Sequence, residues 1–192
     1  MLDLRPATDE LARLVAGISD DDLTADTPCA DTPLAAMLDH VDSLALAFTQ
    51  AAAKTAPPDG SPPPVAAAEN LTANWRTRIP ERLGALADAW RVPDAWTGMT
   101  GVGGLQLPGE VTGAVAIDEL IVHGWDIAVA TGQQLRAEPQ LVEAAYGFVR
   151  ATAAQNPTGV PGLFGPPVDV ADDAPLLDRL IALTGRDPAR TV

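Results

Sequence analysis

The chain contains only two histidines, His40 and His123, and each interrupts a strongly apolar stretch. An α-helix turns by about 100° per residue, so residues four apart lie about 40° apart on one face. Glu119 and His123 are therefore stacked neighbours, and Asp126 falls about 60° from His123 on the same side. Ala116, Leu120, Ile127 and Ala130 make up the rest of that face. Three ionisable groups among such residues are costly to bury unless something neutralises them. A divalent cation does this, because it accepts a neutral imidazole and a carboxylate at short range. His40 lies at the flank of another apolar stripe, near Met37 and Leu44, from where it can point into a bundle interior. Asp39 is about 100° further round and is expected to face solvent.

Spacing alone leaves other readings open. A glutamate and a histidine four apart on a helix are commonly an ordinary surface pair. A lone histidine beside an apolar stripe is commonly a satisfied core residue. Asp126 reads either as the partner that orients an imidazole or as a plain polar residue near a helix end. Trp125 projects away from His123 and reads as packing. Cys29 has no basic neighbour in sequence to lower its pKa and reads as structural.

The elements that must carry these residues are helical. Leu4, Leu11, Leu14, Val15 and Ile18 give a helical rhythm over 2–17, with Pro6 tolerable near its start. Thr32-Pro33 is expected to open a second helix, threonine as N-cap and proline at the first helical position, running to about Lys54. Its stripe is Leu34, Met37, Leu38, Val41, Leu44, Ala45 and Phe48. The stretch from Pro57 to Pro64 holds five prolines and is expected to be an extended, mobile loop. Residues 66–91 return to a helical pattern, with a kink or break expected at Pro80. Residues 92–112, rich in glycine and proline, leave room only for short extended structure. The most apolar helix spans Gly113 to about Ala130, stopped at Thr131-Gly132. Further helices are expected over 138–154 and 174–184. The sum is an all-α fold, one domain over 1–192, with the bundle at about 1–155 and a C-terminal helical extension at about 156–192.

Composition narrows the partners. The formal net charge of -14 repels phosphate backbones and anionic lipid, so neither nucleic acid nor membrane is expected. One cysteine permits no intrachain disulfide, and the acidic N-terminal segment is unlike a secretory signal, so a cytoplasmic location is expected. Aromatics at 4% with 47% hydrophobic residues favour close-packed helices over a β-sandwich.

Three segments together resemble a known family: TPCADTPLAAMLDHV (27–41), ELIVHGWDIAVATGQ (119–133) and GLFGPPVDVADDAPLLDRLIALTGRDP (162–188). They are similar to the mycothiol-dependent maleylpyruvate isomerase-like proteins, in particular the short actinobacterial metal-binding branch within the DinB-like superfamily. The resemblance implies a DinB-like four-helix bundle holding a divalent metal, usually zinc, through His40, Glu119 and His123. Nickel and iron suit the same donors. It also implies a low-molecular-weight thiol such as mycothiol, and an electrophilic substrate, as partners of a transferase-like or isomerase-like enzyme, monomer or homodimer. Relatives usually carry an aromatic and a basic residue where this chain has Thr32 and Ala35. Full-length isomerases add a C-terminal domain, whereas only about forty residues follow the fifth helix here. Two alternatives stand beside this expectation: a hydrolase using metal-bound water, and a non-enzymatic binding or stress-response module with a structural metal.

Overall fold

The computed structural model describes residues 1–55 and 65–190. The expected proline-rich loop at 57–64 lies outside the described residues. Among the described residues six α-helices appear in order: α1 Arg5–Ala16, α2 Leu34–Ala52, α3 Trp75–Ala89, α4 Gly109–Ala130, α5 Pro139–Gln155 and α6 Leu176–Leu183. Between α3 and α4 lie two short strands, β1 Met99–Val102 and β2 Leu105–Pro108. The chain is thus mostly helical with a small two-stranded sheet, which the all-α expectation did not include.

Helices α1 and α2 each pack on α3 and on α4, and α5 sits between α4 and α6. The apolar stripes drive this arrangement. Leu4, Leu11 and Leu14 of the first helical segment meet Leu38 and Val41 of α2 and Ile79, Leu83 and Leu86 of α3 in one fully buried core. Each such side chain contributes roughly 1.5–3 kcal/mol by leaving water. Helix α4 is apolar on nearly all sides because neighbours cover it from both flanks: α1 and α2 on one, α5 on the other. Its start fits tightly under the preceding turn. A Cβ on Gly113 would lie 2.6 Å from the Trp96 ring and 2.9 Å from Trp90.

Local chemistry sets the helix ends. At the start of α2 the expected cap is displaced by one residue. Pro33 is the N-cap with extended backbone, Leu34 is the first helical residue, and the Thr32 hydroxyl donates instead to the Ala30 carbonyl. Pro80 neither breaks nor ends α3, although it removes the N–H that would have bonded to the Arg76 carbonyl one turn earlier. The segment at 66–74 expected to be helical is mainly irregular, with a single 3₁₀ turn at Ala68–Asn70. Both α4 and α6 close with the same Schellman pattern. Gly132 takes a φ of 62°, with bonds from its N–H to Val129 and from Gln133 to Ala128. Gly185 takes a φ of 84°, with bonds from its N–H to Ala182 and from Arg186 to Ile181.

The hairpin forms because Gly103 and Gly104 both occupy the left-handed region, giving a two-residue loop between the paired Val102 and Leu105. It is pinned to α2 through the Thr100 hydroxyl, which donates to the Ala51 carbonyl at 2.6 Å. No helix among the described residues is long and apolar enough to cross a membrane.

Candidate metal centre

Helices α2 and α4 bring the two histidines face to edge, with ring centroids 4.8 Å apart and planes at 86°. Between them stands Glu119. Its Oε2 lies 2.9 Å from His123 Nε2 and 3.6 Å from His40 Nε2. One ligand atom from each of the three residues falls within 4.8 Å of the other two. The edge of a tetrahedron around an ion with bonds of about 2.0–2.1 Å is about 3.3 Å, so two of these separations already bracket a ligated geometry. His40 remains partly exposed while His123 is buried, so the cluster opens on the His40 side.

Behind His123 runs a chain of buried charge. His123 Nδ1 is 2.9 Å from Asp126 Oδ2, which fixes the ring so that Nε2 faces Glu119. Asp126 is completely buried and accepts two further bonds, from Arg186 Nε at 2.7 Å and from Arg186 Nη2 at 2.8 Å. Arg186 Nη1 also donates to the Thr184 hydroxyl. The motif Thr184-Gly185-Arg186 thus has a physical basis. The glycine reverses the chain at the end of α6, and the arginine that follows it turns inward to reach α4, sixty residues upstream. Gly185 is confined as well, since a Cβ there would lie 2.6 Å from Gly165 Cα.

The ionisation states follow from these contacts. Burial pushes the Glu119 carboxyl upward, but the hydrogen bonds from His123 and His40 outweigh it and hold the group well below the usual carboxylate range. Burial likewise opposes charge on His123, yet Asp126 and Glu119 push its pKa up to about 10. Asp126 is held low by His123 and Arg186 against the effect of burial. His123 therefore carries the positive charge between two carboxylates. A cation at Nε2 would take over that role and release the proton, so the donor set fits a divalent metal.

Asp118 was not anticipated from sequence. It is buried on the cavity side of α4, and its Oδ1 has no hydrogen-bond partner among the described residues. Burial, reinforced by the neighbouring Glu119 charge, raises its pKa well above the carboxylate norm. Asp39, expected to face solvent, is instead buried, and its Oδ2 accepts the Ala67 N–H at 3.2 Å. Trp125 packs with Val122 and Ile181, away from the cluster.

The cluster forms part of the wall of a cavity of about 940 Å³. Cys29 and Thr32, from the segment preceding α2, also line it. So do Arg78 and Arg82 of α3, both held by Asp42 at 2.9 Å, and Phe148 and Phe164 on the side of the C-terminal segment.

A family model described as the mycothiol maleylpyruvate isomerase N-terminal domain matches residues 4–128. Two proteins of Mycobacterium tuberculosis, the uncharacterized proteins MT0763 and Rv0738, are each 26% identical over 180 residues, covering 94% of this chain and 93% of their own length. Among solved structures, the crystal structure of the mycothiol-dependent maleylpyruvate isomerase superposes with a TM-score of 0.54 at 20% identity, covering 80% of this chain and 68% of that one. A histidine-to-alanine variant of the same isomerase matches equally well at 19% identity. At these identities the structural likeness establishes a shared fold.

Proposed function

The chain belongs to the family of the mycothiol maleylpyruvate isomerase N-terminal domain, and from that premise we propose a metal-dependent enzyme that uses a low-molecular-weight thiol such as mycothiol. In this reading His40, Glu119 and His123 hold the ion, and the reaction is transferase-like. The observation that carries it is the convergence of three donor atoms on the wall of a large cavity. Structural zinc sites are normally closed by four protein ligands. Among the described residues only three converge here, which favours an open, reactive centre.

A divalent ion held there would supply the positive charge that lets a thiol ionise near neutral pH. The protein's own groups do the rest. Asp126 fixes the tautomer and direction of His123, and Arg186 keeps Asp126 ionised although it is buried. His40, the most exposed of the three donors, leaves its side of the cluster accessible from the cavity. Zinc suits two imidazoles and a carboxylate, and nickel or iron compete for the same set.

Elemental analysis of the purified protein is the first test. Stoichiometric divalent metal is expected in the wild type and its loss in His123→Ala, whereas a wild type that takes up no metal overturns the reading. Calorimetric titration with mycothiol is expected to show binding to the metal-loaded protein only. Metal without any thiol affinity would move the reading to hydrolysis on the same site.

A further inference from the structure

The mouth of the cavity has a character of its own. Leu46 of α2, Leu105 of β2, Val111 of α4 and Leu163 of the loop after α5 are 40%, 60%, 37% and 39% exposed. All four line this one cavity. Single exposed hydrophobic residues scattered over a surface are ordinary, but four from separate segments converging on one opening mark a binding surface. Inside, Met37, Phe48, Phe148 and Phe164 continue the apolar wall.

Three arginines reach the lining, and two of them share one carboxylate. Arg186 is bound by both oxygens of Asp126, and Arg78 and Arg82 are both held by Asp42. Asp118 and Glu119 add acidic groups to the same lining. What sets this opening apart is the apolar surface that converges on it. The volume, about 940 Å³, lies toward the upper end of the ~300–1,000 Å³ typical of pockets for drug-sized molecules.

We infer that the second ligand of this cavity is a molecule with an extended apolar body, lying along Leu46, Leu105, Val111 and Leu163 with its reactive end toward the His40–Glu119–His123 cluster. The inference rests on the reading above for the identity of that ligand as the electrophile, but its binding component stands without metal or thiol.

The test uses neutral probes. Nile red fluorescence reports occupancy of the cavity, and a series of 1-alkanols from butanol to octanol displaces the dye. Displacement affinity is expected to rise by about fourfold per added CH₂, the increment for transferring one methylene out of water. The rise is expected to flatten in the double variant Leu105→Ser/Leu163→Ser, whose exposed positions leave the core intact, and to persist in the control Val92→Ser. Val92 is exposed and lies off the cavity. Circular dichroism and Tm confirm the fold of each variant, and the single variants replace the double one if it is unstable. A flat alkanol series in the wild type, an unchanged slope in the double variant, or displacement by maleate at lower concentration than by octanol overturns the inference. The series is repeated on His123→Ala. A slope kept by that variant supports apolar binding even if wild-type metal and thiol tests fail. A flat slope in a wild type that binds metal and mycothiol overturns this inference alone.

Discussion

At the scale of single residues, the cluster depends on a carboxylate outside the lining of the cavity described above. Asp126 orients His123 and is itself neutralised by Arg186 through two short bonds. Asp126→Asn is expected to weaken metal binding by about 10–100-fold, the usual effect of losing a group that orients a ligating imidazole. Competition with a chromogenic chelator measures it. Arg186→Ala should cost about 3–5 kcal/mol in urea unfolding of the metal-free protein, since it strands a buried negative charge. The apolar pair Asp126→Leu/Arg186→Met should cost less than that single change, and a larger loss would contradict the charge-stranding account. Helical spacing was enough to put Glu119, His123 and Asp126 on one side of α4, whereas grouping His40 with them came from the family resemblance. The role of Arg186 was not legible, because its partner is sixty residues away and only the folded end of α6 turns it inward. Asp39 was misplaced for a related reason. The helical wheel of α2 does not register that the chain at Ala67 returns to cover it.

At the scale of elements, the helix stops position the site as much as the helices do. Gly185→Ala meets both a left-handed backbone and the Gly165 backbone, so it should destabilise by at least about 1–3 kcal/mol and lower metal affinity by moving Arg186. Gly132→Ala provides the contrast. It has the same backbone requirement but open space around the added Cβ, so thermal melts should show the strain while metal affinity stays unchanged. The stop at Thr131-Gly132 could be read directly from sequence, as could the rhythm of α1, α2 and α4. The hairpin was only half legible. Its strands are too short for a periodic signal, but Gly103-Gly104 between Val102 and Leu105 is a two-residue turn signature.

Taken as a whole, the molecule ties its first helix to the link between α4 and α5 through Glu10. That carboxylate accepts two bonds from Arg13 and the backbone N–H of Arg136 at 2.7 Å. The Arg13 bonds are the main cause of its lowered pKa, opposed by burial and aided by Arg136. A depressed folded pKa means that the contribution is complete above the unfolded value, near 4.5, and fades as pH falls through the folded one. Glu10→Gln is therefore expected to lose about 1–3 kcal/mol at pH 7 and progressively less toward pH 3, measured by denaturant midpoints. Equal losses at both pH values would refute the ionic account. The charge of -14 could suggest acid-rich surfaces throughout, yet it did not disclose that the cavity beside the cluster opens through an apolar mouth. That property arises only when four distant segments meet.

The place of Arg186 in the chain also bears on what the C-terminal segment contributes. The guanidinium that balances Asp126 comes from sixty positions further along and is held by the turn that closes α6. Removing that segment would take away core packing and a charge next to the His123 ring in one step, so the turn after α6 belongs to the electrostatics of the cluster as well as to the fold.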